Sequence, residues 1–147
     1  MPAGSGQAGR GIARTPVPVI GDSGYARQMR AVTGAVLDVC CVGAFVAIGR
    51  ASHSEGDALA GLARTAWPFL VGLAVGWLCT RAWRRPGALV PAGLGVWISA
   101  VGVGMALRVV SGQGTAAAFI VVALAFLGLF LLGWRLLAGR FTTSSSG

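Results

Sequence analysis

Asp38 is the residue whose position most demands chemistry. It is a carboxylate inside the run 31–49, where nothing else is charged and most residues are apolar. Counted from Ala31, it lies about 10 Å inward at 1.5 Å of helix rise per residue. An ionised carboxylate at membrane depth costs about 2.5–3.5 kcal/mol on insertion scales, so it must face protein and find a partner. Arg81 and Arg135 are the arginines able to reach that depth, with Arg81 the first choice and Arg135 the alternative. Such a pair either relays protons or cations or fixes helix register as a buried ion pair. The second role is preferred, because the other apolar runs contain no second acid. A structural Asp38 would tolerate Asn better than Leu, since an amide still hydrogen-bonds, whereas a relay would be lost with either.

A second polar group surrounds the stretch 49–57, which holds His53 and Glu55, the only histidine and the only glutamate. Neighbours at i and i+2 point together on a strand and apart on a helix. One His and one Glu are too few for a closed zinc site, so solvated loop residues are the expectation, with no metal and no cofactor. Arg50 and Arg108 each end a helix on this same face, where a cation complements the helix macrodipole. With Gln113 in the neighbouring turn, they form a candidate cluster for an anionic headgroup or small anion. No nucleophile–base set is visible, so the sequence does not read as an enzyme. Cys40, Cys41 and Cys79 lie in apolar runs without metal-ligand spacing and read as small apolar residues.

The elements that position these residues are apolar. The chain is 55% hydrophobic and 11% charged, where a soluble domain carries roughly 25% charged residues. Four runs, at about 31–49, 66–83, 88–107 and 115–137, each approach the roughly 20 residues that cross a bilayer as a helix. None alternates with the period of a membrane β-barrel. The expected fold is therefore all-α, a polytopic membrane protein with a bundle of four transmembrane helices across 25–140. Disordered tails are expected at 1–24, rich in Gly, Ala, Pro and Ser, and at 141–147.

The net charge of +8 comes entirely from arginine against few acids. Its distribution at the edges of apolar runs argues against nucleic acid as a partner and for the positive-inside rule. Arg10, Arg14, Arg27, Arg30, Arg81, Arg84, Arg85, Arg135 and Arg140 fall on one side, and Arg50, Arg64 and Arg108 on the other. Both termini are accordingly expected in the cytoplasm of a cell-membrane protein. Trp67, Trp83 and Trp134 sit near run ends, as interfacial indoles do. Pro68 and Pro91 are expected in first turns of helices, where a missing N–H is harmless.

Phe69-Leu70 and Gly76-Trp77 recur as Phe126-Leu127 and Gly133-Trp134 at a constant offset, and Arg50 and Arg108 end alternate runs. Two related hairpins would produce this pattern. Gly72 and Gly76 form a GxxxG spacing suited to close packing within the bundle or between copies as a homo-oligomer.

Several segments together carry a family resemblance: Gly49-Arg50-x-Ser52-His53, Ala66-Trp67-Pro68-Phe69-Leu70, Gly76-Trp77, Ala82-Trp83-Arg84-Arg85-Pro86, Val96-Trp97, Gly104-Met105-x-Leu107-Arg108, Ser111-Gly112-Gln113-Gly114-Thr115-Ala116 and Leu132-Gly133-Trp134-Arg135. Over about residues 25–137 the chain resembles an uncharacterised family of small bacterial integral membrane proteins, known as a domain of unknown function. The resemblance implies a membrane location and four helices, and it brings no activity or catalytic residue. The leading expectation is a structural or interaction protein of the cell envelope. The alternative is a small transporter or channel component for protons, cations or small anions, acting as an oligomer.

Overall fold

The computed structural model describes Met1 and residues 22–50 and 58–143. Four helices carry the fold: α1 (Asp22–Arg50), α2 (Ala58–Thr80), α3 (Leu94–Val110) and α4 (Ala117–Thr143). Among the described residues, four spans are long and apolar enough to cross a membrane: Ser23–Arg50, Leu59–Thr80, Leu89–Val110 and Ala117–Arg140. Helices suit these stretches because a bilayer offers no water to satisfy backbone groups, so each segment must satisfy its own.

Contacts fix the topology. Asp38 meets Trp77 while Phe45 meets Phe69, so α1 and α2 run antiparallel. Asp38 also meets Trp134 while Phe45 meets Phe119, so α1 and α4 do too. Gly72 lies against Ser99 and Gly76 against Val96, which makes α2 and α3 antiparallel as well. On the remaining side, the Trp97 indole N–H of α3 donates to the Leu124 carbonyl of α4 at 3.1 Å. The result is an up–down ring of four helices.

The core is a stripe from each helix: Val42, Phe45 and Val46; Ala66, Phe69 and Leu73; Val96, Ala100 and Val101; Ala123, Leu127 and Leu131. Spacings of three and four, with adjacent pairs at Phe45-Val46 and Ala100-Val101, put each set on one helix face. Val36, Leu78, Ile98, Val121 and Leu129 are exposed on the outside, as residues facing lipid would be. Between helices in lipid, association comes from close packing and hydrogen bonds, and α2–α3 is the tightest seam. A Cβ on Gly72 would come 2.7 Å from the Ser99 carbonyl oxygen, and one on Gly76 would come 2.7 Å from Val96 Cα. Ser99 Oγ donates to the Gly72 carbonyl at 2.9 Å across the same contact. The GxxxG pair is thus used inside the chain.

Several boundaries differ from the sequence expectation. α2 starts at Ala58, well before residue 66, so Pro68 lies inside the helix rather than in its first turn. Its ring cannot donate a backbone hydrogen bond, and its full burial places it against protein. α2 also stops sooner, because Arg81 adopts the left-handed conformation at φ 50° and ψ 45°. A 3₁₀ turn (Ala82–Arg84) follows. Pro91 drives Val90 to an extended φ of −124°, as the residue before a proline prefers. The regular third helix therefore begins at Leu94, not Ala88. At the far end, Gly112 and Gly114 hold positive φ angles of 68° and 73° and reverse the chain between α3 and α4.

Candidate functional site

The bundle closes around Asp38, which is wholly buried, as is Arg135. Asp38 projects from the core stripe of α1, one turn before Val42. Arg135 projects from the core stripe of α4, one turn after Leu131. Their side chains meet end-on: Arg135 Nη2 lies 2.6 Å from Asp38 Oδ2, and Nη1 lies 2.8 Å from Oδ1. This paired geometry is the strong form of a guanidinium–carboxylate contact.

Two indoles complete the carboxylate's shell. Trp77 Nε1–H of α2 donates to Oδ2 at 2.8 Å, and Trp134 Nε1–H of α4 donates to Oδ1 at 2.8 Å. Each oxygen therefore accepts one indole and one guanidinium N–H, which fills the lone-pair directions of an ionised carboxylate. The guanidinium is held as closely. Nη1 also donates to the Leu131 carbonyl at 2.7 Å, and Nε donates to the Pro86 carbonyl at 3.1 Å. Its plane lies over the Trp134 ring, 4.5 Å from the centroid. Two glycines admit this packing: a Cβ on Gly93 would come 2.7 Å from Arg135 Cδ, and one on Gly34 would come 2.8 Å from Pro86 Cβ. One cluster thus joins α1, α2, α4 and the 81–93 turn.

The structure selects Arg135 over Arg81. Arg81 is exposed, because α2 ends at Thr80 and the left-handed Arg81 turns out of the helix before its side chain can follow the Trp77 face. Trp134 is corrected as well: its N–H points at a buried carboxylate rather than into headgroups. Trp67 and Trp83 remain part exposed, at 39% and 41%. Sequence reasoning missed the two indoles as partners, although the recurrence of Gly-Trp on α2 and α4 was the available signal. The same recurrence places Phe69 and Phe126 on either side of Phe45, at 5.3 and 5.7 Å between centroids. The two matched helices thus flank α1 alike, and Arg135, which matches Leu78, breaks the equivalence.

Of the cluster expected at the opposite end from Arg50, His53, Glu55, Arg108 and Gln113, the described residues are Arg50, Arg108 and Gln113. Arg108 and Gln113 come together, with Nη1 donating to Gln113 Oε1 at 3.0 Å and Nη2 to the Gly114 carbonyl at 3.2 Å. The Arg108 guanidinium also lies 4.4 Å from the Phe119 centroid. These contacts close the α3–α4 turn. Arg50 packs its guanidinium against Gly61 of α2. His53 and Glu55 lie outside the described residues.

A saturated, dry carboxylate matched to a single guanidinium is suited to holding helices. Residues 35–138, which include Asp38, Trp77, Trp134 and Arg135, match the model of a family described as protein of unknown function (DUF3054). The chain belongs to the DUF3054 family. No curated protein and no solved structure matches it. For this DUF3054 chain the four helices of spanning length carry the reading of a multi-pass helical membrane protein, and the family description carries no activity.

Proposed function

We propose that this chain is a structural or interaction protein of the cell envelope, and that its intramembrane charges hold the bundle rather than move ions. The observation that carries the reading is the filled hydrogen-bond shell of Asp38, in which two indoles and the Arg135 guanidinium occupy both oxygens. A relay needs a group that exchanges protons with water on both sides. Here the one described intramembrane acid is sealed by its partners. No catalytic step is assigned to the chain.

The arrangement of arginines supports placing both termini in the cytoplasm. Arg27, Arg30, Arg84 and Arg85 gather at one end, whereas Arg50 and Arg108 fall in the last turns of α1 and α3. Basic residues of short loops stay cytoplasmic. Because Gly72 and Gly76 are used within the chain, association between copies would fall to other helical glycines with open space around them, Gly43, Gly102 and Gly133 among them.

The test is proton and cation flux in proteoliposomes, under both signs of membrane potential, for wild type and Asp38→Asn. Flux indistinguishable from empty liposomes is expected for both. A wild-type flux abolished by Asp38→Asn in a folded variant would replace this reading with the transport one.

A further inference from the structure

Next to the sealed cluster, on the 81–93 side, a groove of about 850 Å³ opens between the start of α1, the turn and the end of α4. Arg27 and Arg30 line it from α1, Arg84 and Arg85 from the turn, and Pro86 and Trp134 form part of its wall. Among the described residues no acidic side chain lines it, and the four arginines are exposed. The ion pair described in this chain is Asp38–Arg135, so none of the four is neutralised by a described carboxylate. Four cations converging on one concavity repel one another, and an anion between them removes that repulsion. A guanidinium matches phosphate oxygens two at a time.

We propose that this groove binds the phosphate headgroup of an anionic phospholipid from the leaflet at that end of the bundle. A lipid fits better than a soluble anion for two reasons. The groove is far larger than a phosphate ion, leaving room for the glycerol that follows it. Its rim also continues onto apolar surface that lipid chains would cover, at Met29 of α1 and Leu137 of α4, which are 48% and 60% exposed. Trp134 contributes to both places: its indole N–H serves Asp38 while its ring forms groove wall. The bound headgroup therefore sits against the element that holds the helices together. The proposal requires only a membrane-embedded chain and stands whether or not the chain conducts ions.

The positive-inside rule alone also asks for arginines here, and it acts while the chain inserts. A site acts on the folded protein, which separates the two. The experiment is native mass spectrometry of the full chain released from nanodiscs containing equal phosphatidylglycerol and phosphatidylcholine, with helix content followed by circular dichroism. One retained phosphatidylglycerol per chain is expected. Arg84→Gln should lower the affinity, read as the bound-to-free ratio, about fivefold and Arg30→Gln/Arg84→Gln about thirtyfold, since a basic residue near an anionic surface contributes about fivefold. Arg81→Gln, at the same end but outside the groove, should leave it unchanged. Equal retention of phosphatidylcholine, or an Arg81→Gln loss as large as that of Arg84→Gln, would overturn the proposal in favour of diffuse charge. Displacement of the lipid by millimolar inorganic phosphate would overturn it in favour of a soluble anion. Should the Gln variants fail to fold, the wild-type lipid selectivity and the phosphate competition decide.

Discussion

Removing either partner of the Asp38–Arg135 pair should be far worse than removing both. In Asp38→Asn the amide cannot satisfy the shell, because both carboxylate oxygens accept N–H donors, one indole and one guanidinium N–H each. Whichever way the amide turns, its NH₂ faces two further donors, and Arg135 loses its counter-charge at full burial. Breaking a buried pair from one side costs about 3–5 kcal/mol, a large share of the 5–15 kcal/mol typical of a folded domain. The amide is thus no milder than Leu here, contrary to the expectation from chemical similarity alone. Arg135→Leu should cost about as much, since Asp38 keeps only its two indole donors. In Asp38→Leu/Arg135→Leu no charge remains, and the loss reduces to orphaned indole N–H groups at about 1 kcal/mol each and some repacking. The single losses then sum to well above the double-variant loss, so a double-mutant cycle should show coupling of at least about 3 kcal/mol, at or beyond the upper end for residues in direct contact. The assay is reversible unfolding in mixed micelles by increasing the SDS fraction, read by far-ultraviolet circular dichroism. Single-variant losses that add to within about 0.5 kcal/mol would refute the reasoning, as would Asp38→Asn unfolding like wild type.

Other consequences can be measured in the same way. Trp77→Phe and Trp134→Phe each remove one 2.8 Å hydrogen bond to Asp38 and should each destabilise by about 1–2 kcal/mol in the same titration. Gly76→Ala should cost about 1–3 kcal/mol through overpacking, because its Cβ would press on the α3 backbone, whereas Gly102→Ala, with open space around it, should cost nothing and stabilise by up to about 1 kcal/mol. Reporter fusions after residues 30, 57, 86 and 147 should read inside, outside, inside, inside, and a cytoplasmic signal at 57 would reverse the orientation.

Much of this molecule was legible in its sequence because lipid imposes coarse rules. Apolar runs of spanning length gave four helices, and the expense of a charge in hydrocarbon singled out Asp38. Its partner was harder to read. Arg81 continues the face of Trp77 if α2 continues, and only the left-handed turn at Arg81 removes it. Arg135 carried its own signal, standing in phase with Leu127 and Leu131 on the buried stripe of α4. The indoles were misread for a physical reason: a tryptophan near the end of an apolar run has two homes, the headgroup region or a buried acceptor. Position along one helix does not distinguish them, but the recurrence of Gly-Trp on two helices facing α1 does. Pro68 and Pro91 show the same limit, since a proline signals a first turn only when the helix start is already known.

The central claim is that Asp38 is sealed, and the indole N–H groups of Trp77 and Trp134 report on it directly. Hydrogen–deuterium exchange of these groups, followed by nuclear magnetic resonance on protein with ¹⁵N-labelled indoles in nanodiscs, measures whether water reaches the carboxylate. The account predicts that both exchange only as fast as the bundle unfolds, while the part-exposed Trp67 and Trp83 exchange quickly. Exchange of Trp77 and Trp134 at the rate of Trp67 and Trp83 would mean that water enters the cluster, and would contradict it.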